Sequence, residues 1–175
     1  MPSCTEALLD MAFAKENRGF LDPAYELNTF VTKIASEGSE AYFNRGRICF
    51  KRKNYGEAVR EFDLAIQRDS EDAYFHWRGA AHNMMGNFER ALRDFDSAID
   101  LAPDNYKYLC DRGVLKCKMN RYEEAKEDFL GVIDINPSDT EAWLALRDVY
   151  LLLGEDYNCR VANDNLKALD PELMR

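Results

Sequence analysis

Residues 45–66 read RGRICFKRKNYGEAVREFDLAI, residues 78–99 read RGAAHNMMGNFERALRDFDSAI, and residues 112–133 read RGVLKCKMNRYEEAKEDFLGVI. The three stretches align without a gap, offset by 33 and then 34 residues. Gly46, Gly79 and Gly113 share a column. So do Tyr55, Phe88 and Tyr122; Ala58, Ala91 and Ala125; Phe62, Phe95 and Phe129; and Ile66, Ile99 and Ile133. Pro103, Pro137 and Pro171 extend the period at 34. A fixed period of this length marks an array of supersecondary units that bury their apolar faces by stacking.

Each column has a physical reading. A glycine within a helix costs about 1 kcal/mol relative to alanine, so a recurring one points to close approach by another helix. Ala58, Ala91 and Ala125 are the expected small residues on that second helix. The phenylalanine column lies four positions on, on the same face one turn later, and is expected to fill the space beneath the following unit. Lys53-Asn54, Gly86-Asn87 and Asn120-Arg121 read as turns within each unit. The prolines mark helix ends, because proline lacks the N–H.

This pattern resembles the tetratricopeptide repeat, a helix-turn-helix unit of 34 residues. Tyr42, Phe75, Leu109 and Trp143 fill the family's first large position, and the glycine, aromatic, alanine and proline columns follow. One departure recurs: Arg45, Arg78 and Arg112 stand where the family has leucine before the glycine. The resemblance implies an all-α protein, a right-handed α-solenoid of stacked helix-turn-helix tetratricopeptide repeats. The expected units are 39–71, 72–105 and 106–139. Residues 140–175 form a degenerate repeat or C-terminal capping helices, with helices expected over 140–153 and 156–169. Here Cys159 and Asn163 interrupt the alanine and phenylalanine columns. Residues 1–38 read as an N-terminal helical pair that is either a degenerate repeat or a cap. Within it, Asp22-Pro23 looks like an N-cap followed by a first-turn proline, and Gly38 like a helix stop. Shifting the register back by 34 places Leu8, Ala12, Gly19 and Ala24 on signature columns.

Composition narrows the function. The 175 residues carry a net charge of −9, with 46% hydrophobic and 31% charged residues, an ordinary mixture for a folded chain. An acidic chain is a poor match for nucleic acid or an anionic membrane. No apolar run reaches membrane-span length, and the N-terminus lacks a secretory pattern. Five cysteines without a C-x-x-C pair read as free thiols in a reducing, cytoplasmic setting. His76 and His82 are off the spacing of a helical metal pair, so no metal or other cofactor is expected. Nucleotide-binding, hydrolase and metalloprotease motifs are missing, so a non-enzymatic role is expected. The carboxylates are expected on solvated helix exteriors. The exception is an inter-unit ladder in which Arg78 and Arg112 reach acids of the preceding unit (Glu61 and Asp63, then Asp94 and Asp96). Arg45 is left without a clear acidic partner.

In tetratricopeptide proteins the ligand usually lies in a concave groove lined by the first helix of each unit. The resemblance implies peptide-binding positions at Phe43, Arg47, Phe50, His76, Trp77, Met84, Lys107, Asp111, Val114 and Leu144. The large apolar side chains among them are expected to be free of packing within the hairpin and to serve as anchors. The basic clamp by which some family members hold a chaperone's C-terminal carboxylate is not matched. Its positions fall on Phe43, Arg47, Trp77, Lys107 and Asp111. The expected function is therefore an adaptor or scaffold that binds a protein or peptide segment in a partly apolar groove. Two alternatives stand beside it: a small acidic chaperone resembling those of type III secretion, and a regulatory subunit acting through its convex face. The expected state is a monomer or weak homo-oligomer, with Leu151, Leu152 and Leu153 as a possible dimer face or as packing under the last helix.

Overall fold

The computed structural model describes residues 3–35 and 38–170. The Pro171 reading lies outside them. Ten helices follow in order among the described residues, and no strand: α1 (Cys4–Asn17), α2 (Leu21–Ile34), α3 (Ser39–Lys51), α4 (Tyr55–Ile66), α5 (Asp72–Met84), α6 (Phe88–Leu101), α7 (Tyr106–Lys118), α8 (Tyr122–Ile135), α9 (Thr140–Leu153) and α10 (Asp156–Leu169). The fold is all-α, built of helical hairpins in series. Two compact units divide the chain, Met1–Asp94 and Phe95–Arg175.

The turns inside the hairpins share one chemistry. Gly19, Lys53, Gly86, Asn120 and Gly154 all have positive φ. In each turn the following N–H donates to a carbonyl five residues back at 2.9 Å: Phe20 to Lys15, Asn54 to Cys49, Asn87 to His82, Arg121 to Lys116 and Glu155 to Tyr150. This is the left-handed helix stop that satisfies otherwise orphaned carbonyls. Lys53 and Asn120 adopt it without being glycine.

In the first unit, Ala58 and Phe62 of α4 share a buried cluster with Cys49 of α3 and Ala81 of α5. In the second, Phe129 of α8 clusters with Leu146 and Val149 of α9 and with Cys159 and Ala162 of α10. The phenylalanines thus face the next hairpin, but the glycine column answers to them rather than to the alanines. A Cβ on Gly46 would lie 2.4 Å from Phe62 Cε1, and one on Gly113 would lie 2.9 Å from Phe129 Cε1. The ring of the second helix is laid on the bare backbone of the first.

The arginine column makes a ladder that differs from the expected one. Arg78 donates through Nη1 to Asp63 at 2.7 Å, as expected, but its Nε and Nη2 grip both oxygens of Asp94 in its own hairpin at 3.0 and 2.6 Å. Arg112 repeats this with Asp96 at 2.6 Å and Asp128 at 3.1 and 2.7 Å. Arg45 has an acidic partner after all: Glu61, at 2.5 Å, with the Tyr25 hydroxyl at 3.0 Å. Glu61 and Asp94 therefore serve the arginine of their own hairpin and not the next one. The expectation that the carboxylates lie on solvated exteriors is corrected here. Glu16, Glu61, Asp94 and Asp128 are buried, held there by guanidinium and ammonium partners. The ladder stops coherently at the fifth hairpin, α9–α10. The register that holds Asp96, Arg112 and Asp128 holds Leu130, Leu146 and Ala162 one period later, and Leu146 and Ala162 are fully buried.

Two terminal readings are also corrected. Asp22 does not cap α2: Phe20 holds the N-cap position, and the Asp22 carboxylate pairs with Arg52 instead. Pro23 falls in the first turn, where no N–H is needed. Gly38 does not stop α2, which ends at Ile34, but is the N-cap of α3. The expected helices over 140–153 and 156–169 match the bounds of α9 and α10.

Candidate functional site

The first unit contains a cavity of about 560 Å³ between α1, α3 and α5. Leu9, Asp10 and Phe13 line it from α1, Ser39, Glu40, Phe43, Asn44 and Arg47 from α3, and Glu71 and Tyr74 from the start of α5. Phe43 and Tyr74 stack at 4.7 Å between ring centroids, with planes tilted by 39°. Phe43 also lies 5.8 Å from Phe62. The wall is therefore anchored in the hairpin core, and Phe43 is not free of packing as its position had suggested.

Arg47 stands at the centre of an aromatic cluster. Its guanidinium carbon is 5.7 Å from the Phe13 ring, 5.8 Å from Phe43 and 5.7 Å from Trp77, within cation–π range. It pairs with Glu16 of α1 at 3.0 Å, and Lys51 shares the same carboxylate oxygen at 2.7 Å. Phe50 meets Trp77 edge-on at 5.3 Å and Tyr55 at 5.2 Å. His76 lies edge-on to Trp77 at 6.3 Å. Phe43, Arg47, Phe50, His76 and Trp77 thus form one connected group in the first unit. Met84 is exposed at the end of α5, outside the cavity lining.

In the second unit, Lys107 and Asp111 line a smaller cleft with Tyr106, Cys110, Asp139 and Glu141. Burial, and then Asp111, Asp139 and Glu141, push the Cys110 thiol to about 11, which keeps it protonated and unreactive at neutral pH. Val114 is exposed, and Leu144 is half-buried. Leu151 and Leu152 are exposed, whereas Leu153 packs against the buried cluster of this unit.

The sequence reading missed the α1 wall, although its own register contained it. Moving back 34 residues from Phe43, Asn44 and Arg47 gives Leu9, Asp10 and Phe13, the three α1 residues at the cavity. It also missed Glu40, Glu71 and Tyr74, for which no motif is known to us beyond their place at the ends of α3 and α5. No group of three or more metal-ligating side chains is present among the described residues. No helix among them is long and apolar enough to cross a membrane.

Comparison with known proteins agrees with this architecture. Models of the tetratricopeptide repeat match residues 39–72 and 106–139. The chain is similar to Hsp70-Hsp90 organizing protein 3 of Arabidopsis thaliana, 34% identical over 56 residues, which is 31% of this chain and 10% of that protein. It is 29% identical to Hsp70-Hsp90 organizing protein of Triticum aestivum over 85 residues, or 48% of this chain and 14% of that one. Tetratricopeptide repeat protein 6 of Homo sapiens is 22% identical over 102 residues, 58% of this chain and 20% of the other. The matches thus span a fifth or less of those relatives. Among solved structures, MamA protein superposes with a TM-score of 0.85 at 17% identity, covering 96% of this chain and 92% of that one. YrrB, described as a TPR protein with an unusual peptide-binding site, gives 0.80 at 17% identity, covering 95% and 87%. The chain carries tetratricopeptide repeats, matched over residues 39–72 and 106–139.

Proposed function

We propose that this protein is a non-enzymatic adaptor that binds a segment of a partner protein at the face made by α1, α3 and α5. The observation that carries the reading is the open, aromatic-walled cavity of about 560 Å³ in the first unit. Its wall is held by core packing, so the cost of ordering it is met on folding and not on binding. Phe13, 48% exposed, offers apolar area that no neighbouring helix covers. The family supports a protein-binding role, and the likeness to Hsp70-Hsp90 organizing proteins supports an adaptor. The carboxylate grip of that class of adaptor is not part of the proposal. The clamp positions in the first unit are held by Phe43, Arg47 and Trp77, and Arg47 is already paired with Glu16.

The test is binding of the full chain to an array of short synthetic peptides, repeated with Phe13→Ala and Phe43→Ala. Both variants are checked for unchanged helicity by circular dichroism. The reading expects peptides that bind the parent and lose about tenfold or more on either substitution, the scale of a single aromatic anchor. Peptides that bind parent and variants equally would move recognition to another face.

A further inference from the structure

The cavity is charged as well as aromatic, and carboxylates outnumber cations in its lining. Building on the function proposed above, we infer that the partner segment presents a lysine or arginine, its cationic head among Asp10, Glu40 and Glu71 and its methylene stem on the apolar wall that Phe13 and Phe43 give the cavity.

Three carboxylates line the cavity and only one cation does, Arg47. That cation is held by Glu16 at 3.0 Å, a carboxylate it shares with Lys51, so the three lining carboxylates still outnumber the one lining cation. Among the described residues Asp10, Glu40 and Glu71 form no ion pair. Another guanidinium, Arg68, lines the adjoining cleft, which Glu40 also borders. It sits 4.1 Å over the Tyr42 ring and donates to the Leu64 carbonyl at 2.7 Å. Like charges crowd the rim. Burial, and then Asp69, Asp72 and Glu40, push the Glu71 carboxyl above the ordinary value. A cation placed there relieves that repulsion, whereas an acidic segment would add to it.

The walls suit a long basic side chain better than a small cation. Phe43 is held in place by Tyr74 behind it, and Phe13, 48% exposed, adds open ring surface to the same cavity; lysine and arginine lay their apolar stems on such surfaces while the head stays with water and counter-charge. Charge complementarity therefore selects a basic peptide segment as occupant, the reverse of a carboxylate tail.

The experiment measures binding of the full chain to matched peptides that differ at one central residue: arginine, lysine, norleucine or glutamate. It is run with the parent, Glu40→Gln, Glu71→Gln and Asp10→Asn, all at exposed sites, each checked for unchanged helicity by circular dichroism. The expected result is a preference of about fivefold or more for the basic centre over norleucine. That preference shrinks in the carboxamide variants and on raising salt from about 0.05 M to about 0.5 M. Equal binding of the arginine and glutamate peptides, with binding still lost in Phe43→Ala, would overturn the charge inference and leave the binding face standing. Binding of every peptide unaffected by Phe43→Ala would instead remove the face itself, and the inference with it.

Discussion

Arg78 grips both carboxylate oxygens of Asp94, sixteen residues on, through Nε and Nη2 at 3.0 and 2.6 Å. Its remaining Nη1 reaches back to Asp63 of the preceding hairpin. One guanidinium thereby ties its own two helices together and fixes the hairpin before it. Asp94 is only 5% exposed, and removing one member of a buried ion pair strands the other charge. Arg78→Met is therefore expected to lower stability by about 3–5 kcal/mol. Arg78→Met combined with Asp94→Leu should recover most of it, since the stranded charge is gone. Arg147→Met, which breaks an exposed pair with Asp148, should change stability by about 0.5 kcal/mol or less. Urea titrations of the three variants check this, and a near-neutral Arg78→Met would show that the ladder does not act as described.

The glycine column makes a second prediction. Gly46→Ala forces a methyl to within 2.4 Å of Phe62 Cε1, in a core where Phe62 is fully buried. Overpacking of this kind costs about 1–3 kcal/mol, more than the small helix-propensity gain of alanine. Gly56→Ala, with open space around its site, should be neutral or stabilising. Adding Phe62→Leu to Gly46→Ala should relieve the clash, so the two changes together should cost less than their sum. Strict additivity in thermal melts would contradict the ring-on-glycine account.

His82 gives stability a pH dependence. It is buried beside Asp94 and Arg78, and its Nδ1 has no hydrogen-bond partner. Burial holds its pKa below the ordinary value of 6.5; Arg78 and Arg90 also lower it, while Asp94 and Asp63 pull it up. The unfolded chain thus takes up the proton first as pH falls. The stability due to neutral His82 is complete above the ordinary histidine value and is lost as pH drops through it. Denaturation midpoints should therefore decline from about pH 7.5 to about pH 5.5, and less steeply in His82→Gln. Parallel curves for parent and variant would assign the decline elsewhere.

Which parts of this were legible in the sequence follows from what each residue does. Turns show themselves, because a positive φ needs Gly86 or Gly154, and even Lys53 and Asn120 fall in the aligned column. Apolar columns show themselves, because core packing repeats with the fold. Burial of charge does not. Asp94 and Asp128 look like any helix-surface acid until their arginine is placed, and the sequence reading paired Asp94 with Arg112 when geometry gives it to Arg78. The cap at Asp22 misled for a related reason: its carboxylate answers a distant charge, Arg52, instead of the local backbone. At the cavity, Phe43 and Arg47 came from register alone. Their α1 counterparts follow from the same register, but Glu71 and Tyr74 needed the approach of α5 to α3.

The central claim is that a partner segment lies on the α1–α3–α5 face of the first unit. The most direct measurement places a benzophenone photo-crosslinker at Ser39, an uncharged position in the cavity lining, and in a separate variant at exposed Arg60 of α4, which is not part of that lining. Each is irradiated with extract of the source cells, and cross-linked peptides are sequenced. The account predicts a discrete partner segment captured from position 39, with a lysine or arginine in it, and no such product from position 60. Capture from position 60 alone would contradict it and place the interaction on the outer helices.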